Sequence, residues 1–325
     1  MSETVLQVRD LVTAFSTDRG TVRPVNGISF DVKKGRTLAI VGESGSGKSV
    51  TSLSVMQLIP ENGRVEQGEI LFRGEDLAGA NKRKMQELRG NRMAMIFQEP
   101  MTALNPVYTV GEQIAEVLRL HQNQTRKEAA QNAIGMLEKV HIPDPAARAA
   151  CYPHELSGGM RQRVMIAMSL ACNPQLLIAD EPTTALDVTI QAQVLRLMRN
   201  LQEELGTAII FITHDLGVVA EVADDVAVMY CGNIVEQGTV YEVFENPQHP
   251  YTKGLMNSLP KMSDDKARPL EAIKGMVPSL FDLPKGCRFT TRCEHVMDVC
   301  DTMPGLLKIG ETHAAACHLV RQEVS

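Results

Sequence analysis

Hydrophobic positions change their period along the chain, and each change predicts an element. LQVRDLVTAF (6–15) and VNGISFDV (25–32) alternate apolar and polar residues, as strands with one buried face do. TLAIV (37–41) is apolar throughout, and GEILFRG (68–74) is a further strand signal. From about Asn81 to Ala171 helical spacing dominates, in KRKMQELRG, VGEQIAEVLRLHQ, TRKEAAQNAIGMLEKV and GGMRQRVMIAMSLAC. The apolar strand QLLIAD (175–180) then precedes the helix VTIQAQVLRLMRNLQEEL (188–205), and AIIFITHD (208–215) reads as a buried strand. VADDVAVMYCGNIVEQG (222–238) reads as a helix end followed by strands. Strands alternating with helices predict an α/β core with a mainly parallel sheet. To this core are added an N-terminal antiparallel β subdomain and an inserted helical lobe over about 90–165. Past Pro250 the texture turns charged and turn-rich, which places a soft boundary near Leu259. The expected organisation is a core domain over 1–259 and a small Cys-bearing tail over 260–325.

Between TLAIV and the helical VTSLSVMQLI stands GESGSGKS, Gly42 to Ser49. Gly42 and Gly47 have the spacing G-x-x-x-x-G-K-[ST]. Glycines here, with Ser44 and Gly45 between them, let successive N–H groups point into one concavity, and the next helix aims its positive end at the same place. Lys48 would reach the β- and γ-phosphates of a nucleotide, and Ser49 would ligate Mg²⁺. A Gly/Ser turn that only joins two elements is the plain alternative. A second signal is QLLIADEP, a buried strand ending in Asp180 and Glu181 at the edge where open α/β sheets bind ligands. Asp180 suits a Mg²⁺ sphere and Glu181 a general base that polarises water. Two solvated carboxylates at a strand end are the alternative, but with GESGSGKS the pair points to a nucleoside triphosphatase. A third is LSGGMRQR (156–163), where Ser157 is a good N-cap and Gly158 and Gly159 leave backbone N–H groups uncovered for an anion.

Composition narrows the function further. The 325 residues include 44% hydrophobic ones, enough to bury a core, and the net charge of −6 argues against a general nucleic-acid binder. No apolar run approaches the roughly 20 residues of a membrane span, and MSETVLQVRD has no signal-peptide pattern, so a cytosolic location is expected. Seven cysteines in such a chain point to thiols or metal ligands more than to disulfides.

Taken together, GESGSGKS, Gln98 in IFQEP, LSGGM, LLIADEP, Ala185 to Asp187 and His214 in ITHD closely resemble, in order and spacing, the ATP-binding-cassette ATPases. Met160 departs from the Gln of many members. The resemblance implies that two cassettes pair head to tail with two ATP molecules between them, each lying on one subunit's GESGSGKS and under the other's Ser157, Gly158 and Gly159. It makes Phe15 the aromatic that stacks on adenine, with a buried core Phe as the competing reading. It makes Gln98 the lid glutamine that senses Mg²⁺, His214 the contact to the γ-phosphate, and Asp187 a coupling residue across the dimer. MTALNPVYTVGEQI and NPQHPYTKGL are similar to the peptide-importer branch, which also handles nickel and glutathione-like substrates. That branch implies a peripheral ATPase on the cytoplasmic face of the bacterial inner membrane. Its partners would be a second ATPase subunit, expected to be a paralogue, two permeases and, indirectly, an extracytoplasmic binding protein. Nucleic acid is not among the expected partners, and a soluble non-transport ATPase is the alternative. Permease docking is expected near Gln98 to Gly111, with Tyr108 and its apolar neighbours; alternatively Met101, Leu104 and Val107 fill the core of the helical lobe. Cys287, Cys293, Cys300 and Cys317 stand at C-x₅-C-x₆-C-x₁₆-C in the tail. With the branch resemblance, they are expected to hold a structural [4Fe–4S] cluster, with zinc or free thiols as alternatives.

Overall fold

In the computed structural model, residues 3–98, 103–184, 186–258 and 273–323 are described. The chain opens with two 14-residue strands, β1 (Thr4–Thr17) and β2 (Gly20–Lys33), followed by β3 (Thr37–Val41), helix α1 (Lys48–Val55), β4 (Gly63–Phe72) and β5 (Glu75–Asp76). Next come α2 (Lys82–Leu88), β6 (Met93–Ile96), α3 (Val110–Gln122), α4 (Arg126–Lys139), α5 (Pro145–Ala149) and α6 (Gly158–Leu170). The chain continues through β7 (Leu176–Asp180), α7 (Val188–Leu205), β8 (Ala208–Thr213), α8 (Leu216–Val222), β9 (Asp225–Tyr230) and β10 (Asn233–Thr239). Helices α9 (Val240–Glu245) and α10 (Pro250–Asn257) precede the tail, which carries β11 (Leu307–Lys308), β12 (Ala314–Ala315) and α11 (His318–Glu323). The boundary expected at 259/260 lies outside the described residues.

By packing, the chain forms two compact units. One comprises Met1–Leu6, Val32–Arg36 and Gly79–Ile212. Its strands β6, β7 and β8 run parallel, with Met93 opposite Leu176 and Asp180 opposite Ile212. β7 and β8 are buried along their whole length, which is why LLIAD and AIIFIT are continuously apolar rather than alternating. Beside them α3 buries Val110, Ile114 and Leu118, and α4 buries Ala129, Ala133 and Leu137. Both sets step by four residues, so each forms a single stripe on its helix. Thr125 starts α4 with a capping box: its hydroxyl accepts from the Glu128 amide, and the Glu128 carboxylate accepts from the Thr125 amide at 2.9 Å.

The other unit comprises Gln7–Asp31, Thr37–Ala78 and Thr213–Ser325. It holds a four-stranded sheet in the order β2-β1-β4-β5. Separately, β3 pairs parallel with β9 (Leu38 opposite Asp225), β9 antiparallel with β10, and β10 with β12 of the tail (Glu236 opposite Ala315). The tail is thus built onto the edge of this sheet, with β11 outermost. Its Phe289 enters an aromatic core with Tyr230 and Tyr251, at ring-centroid distances of 5.2 and 5.5 Å. Behind this core Glu236, fully buried, accepts from the amides of Gln248 and His249 and from the His313 ring, each at 2.8 Å.

Candidate active site

Gly42–Ser49 turns sharply out of β3 into α1. Gly42, Gly45 and Gly47 have φ of +150°, +79° and +104°, values that a β-carbon strongly disfavours. A β-carbon at Gly42 would collide with the Met229 carbonyl, and one at Gly47 with the Pro24 carbonyl, so the loop is also pressed against neighbouring backbone. Lys48 is buried at the start of α1, and its Nζ donates to the carbonyls of Gly42 (2.7 Å) and Glu43 (3.0 Å). The ammonium therefore bridges the mouth of the loop, where an anion's oxygens would take over as its acceptors. Ser44 and Gly45 are exposed at the tip of the turn. Ser49 is half-buried in the first turn of α1. Phe15 is half-buried in β1, and its ring lies over Gly63, where a β-carbon would come within 2.7 Å of it. His214 is exposed directly after β8, and the next residue, Asp215, caps α8 by accepting from the Gly217 amide at 2.8 Å.

In the other unit, β7 delivers Asp180 buried (5% exposed) and Glu181 half-buried at its end. Glu181 has φ +47°, a left-handed conformation uncommon in a non-glycine residue, and its amide donates to Ile212 O at 2.9 Å. Its carboxylate accepts from Gln98 Nε2 at 3.1 Å and from the Thr184 hydroxyl at 2.9 Å. Gln98 and Glu181, named separately from the sequence, are thus brought together, and Thr184 joins them unforeseen. Buried Gln162 braces the turn after Glu181 by donating to Pro182 O at 2.5 Å. Ser157 caps α6, accepting from the Met160 amide at 3.3 Å, and Asp187 caps α7, accepting from Ile190 N at 3.0 Å. Ser157, Gly158, Gly159 and Asp187 line one open cavity of about 520 Å³ together with Arg163 and His141. Two helix N-termini and the Arg163 guanidinium thus line this cavity beside the Asp187 carboxylate. Ala185 lies outside the described residues.

The tail brings Cys287, Cys293, Cys300 and Cys317 to one small cavity, with His249 and His318 also on its wall. All seven cysteines are free thiols. Burial pushes the Cys287 thiol up to about 11 and raises those of Cys293 and Cys317, and neighbouring thiolates would raise each of them further. Among the described residues, no group of three or more His, Cys, Asp or Glu is arranged to hold a metal ion. Four cysteines are a donor set that suits a cluster or zinc, but among the described residues they do not form a coordination shell. This departs from the expected metal site, and burial, which disfavours the thiolate form of Cys287, Cys293 and Cys317, works against it. Cys151, Cys172 and Cys231 lie elsewhere, as ordinary thiols do. Val107 and Tyr108 are exposed ahead of α3 while Leu104 is buried, so the stretch after Gln98 divides between surface and core; Met101 lies outside the described residues.

Residues 25–184 match the family model of the ABC transporter, and residues 235–300 match that of the oligopeptide/dipeptide transporter, C-terminal region. A probable peptide ABC transporter ATP-binding protein of Sinorhizobium fredii is 54% identical over 97% of this chain and 95% of its own length. The chain belongs to the ABC transporter family. As an ABC ATPase it binds ATP and couples hydrolysis to transport. An oligopeptide transport ATP-binding protein of Bacillus subtilis is similarly 54% identical, over 95% of this chain and 87% of that protein. The fold is shared with the dimeric post-hydrolysis ATP-binding cassette MJ0796, solved with ADP and Pi, at 24% identity and a TM-score of 0.65 over 72% of this chain and 98% of that one. Among the described residues of this ABC ATPase, no helix is long and apolar enough to cross a membrane.

Sequence reasoning passed over Glu43, Arg292, Tyr251 and Thr184. Glu43 and Thr184 stood inside or beside quoted motifs as unspecified positions. Tyr251 stood in NPQHPYTKGL without an assigned role. Arg292 stood in GCRFTTRC (286–293) without an assigned role, because its partner is 249 residues away in the chain.

Proposed function

We propose that this chain is the ATP-hydrolysing subunit of a binding-protein-dependent importer of dipeptides or oligopeptides. The observation that carries the reading is the region 235–300, which matches the oligopeptide/dipeptide transporter C-terminal region and contains most of β10, the sheet edge onto which β12 of the tail is built. In this reading the chain is organised as a cassette over 1–259 and an importer-type tail over 260–325. Lys48 and the amides of Gly42–Gly47 hold the β- and γ-phosphates, and Phe15 meets the adenine. Glu181 accepts the proton of the attacking water, Gln98 senses Mg²⁺ and the membrane partner, and His214 contacts the γ-phosphate and holds the surroundings of the water in place. The Ser49 hydroxyl, the Asp180 carboxylate and Gln98 are hard oxygen donors suited to Mg²⁺, which neutralises charge on the phosphates when bound. Ser157, Gly158, Gly159 and Asp187 act on the nucleotide held by a second cassette, for which a paralogue is the expected partner. The chain works peripherally at the cytoplasmic face of the membrane, on two permeases served by an extracytoplasmic binding protein. For the tail, convergence of four cysteines on one cavity supports a structural [4Fe–4S] cluster, with zinc as the competing occupant.

The test is reconstitution with the two permeases and the binding protein in proteoliposomes. ATP-dependent uptake of labelled di- and oligopeptides is expected. Uptake of nickel or a glutathione-like substrate without peptide, or hydrolysis with no capture of permeases, overturns the reading. Metal analysis of anaerobically purified protein decides the tail: iron with broad absorbance near 400 nm is expected, while zinc or no metal removes the cluster.

A further inference from the structure

Glu43 is the single acidic side chain in Gly42–Ser49. A carboxylate in a loop that receives a polyphosphate repels its ligand, and that repulsion grows as the site loses water. The structure gives this carboxylate a dedicated partner from the tail. Arg292 Nη1 donates to Oε2 at 2.6 Å and Nη2 to Oε1 at 3.0 Å, a two-pronged ion pair. The Arg292 side chain is only 3% exposed. It is held from behind as well: Nε donates to Lys274 O at 3.1 Å, and the guanidinium lies 5.8 and 5.9 Å from the ring centroids of Tyr230 and Phe289. Glu43 is fixed through its backbone too, its amide donating to the Tyr251 hydroxyl at 2.9 Å and its carbonyl accepting from Lys48. One loop residue therefore joins the tail, the aromatic core and the phosphate-binding lysine.

We propose that Arg292 is a positioning residue of the ATP site: by clamping Glu43 it masks the one negative side chain of the phosphate loop and fixes the backbone on which Lys48 rests. The proposal rests on the ATP-site reading of this loop. Arg292 touches no nucleotide itself. It acts through charge and through loop register, and these two actions fall on nucleotide affinity, not on the chemical step. A residue needed only to fold the tail has a different signature, because removing the Glu43 charge does nothing for an unfolded tail.

The experiment titrates the full-length protein with a fluorescent N-methylanthraniloyl ATP and Mg²⁺, with thermal melting as a control for folding. Arg292→Ala is expected to weaken binding about tenfold, equivalent to about 1.4 kcal/mol. Adding Glu43→Gln to it is expected to restore most of that loss, since the carboxylate that needed masking is gone. Arg292→Lys, which keeps the charge but not the two-pronged geometry, should fall between; it also carries the test, with and without Glu43→Gln, if Arg292→Ala melts too low to titrate. Wild-type affinity in the Arg292 variants overturns the proposal. So does a loss that Glu43→Gln leaves untouched, which assigns Arg292 to tail folding alone. Failure of the wild-type protein to bind the probe removes the ATP-site reading and the clamp with it.

Discussion

At the scale of single residues, the distinctive position is Glu181. A left-handed glutamate directly after a buried strand is held there by its amide bond to Ile212 O, and its carboxylate is oriented by Gln98 and Thr184. Strain of this kind persists where the surroundings fix a side chain in place, here a carboxylate at the end of a strand. Glu181→Gln keeps the size of the side chain and its hydrogen bonding to Thr184 but cannot accept a proton. Phosphate release should fall by about 100-fold or more while nucleotide binding persists, as read by single-turnover assays and probe titration. Near-normal turnover would remove Glu181 from the role of base. Most of this site was legible at the residue scale, since a strand ending in two acids and a Gly-rich turn ending in Lys each carry their chemistry in consecutive positions. Thr184 was not, because a hydroxyl three residues beyond a glutamate has no pattern until the turn is seen.

At the scale of elements, caps and periods explain both what the sequence disclosed and what it hid. Strands β7 and β8 and the stripes of α3 and α4 were readable from apolar spacing, and the α4 capping box stands in the letters TRKE. Strand β6 escaped notice because MAMI is four residues long among helical signals, and a short apolar run has no period of its own. Strands β5, β11 and β12 are two residues each and exist only through their partners. Helix α10 has an uncommon cap: buried His249 accepts from the Tyr251 amide through Nδ1 at 3.0 Å, which requires that nitrogen unprotonated. Burial, helped by the positive charge of Lys253, lowers the His249 pKa to about 3. Unfolded, the same ring titrates near 6.5. The unfolded state therefore takes up a proton first, so this contribution is whole above about pH 6.5 and is lost as pH falls below it. Between about pH 7 and pH 5.5 the loss is about 1 kcal/mol. His249→Asn keeps a cap acceptor without titrating, and its denaturation midpoint should vary less with pH over that range than the wild type's. Parallel pH slopes for the two proteins would contradict this account.

At the scale of the whole molecule, the chain's business is conducted with other proteins. Val107 and Tyr108, 69% and 54% exposed ahead of α3, are the side chains proposed to receive a permease helix. Substituting both by Asp should abolish co-purification with the permeases and leave nucleotide binding by the chain itself intact; undiminished capture would place the docking site elsewhere. The tail shows why long-range architecture was the least legible level. Its spacing announced four cysteines, yet what ties it to the cassette is the pairing of β12 with β10, the Glu236–His313 contact and the Arg292–Glu43 pair. None of these is local in sequence. The last of them also orders events in time. Arg292 is made 249 residues after Glu43. At about 5–20 residues per second, Glu43 is synthesised roughly 12–50 s before its partner. The proposed clamp can therefore close only after both β9, whose Met229 carbonyl abuts Gly42, and the tail have been made, so the charge of the loop is masked at the end of synthesis and not at its start.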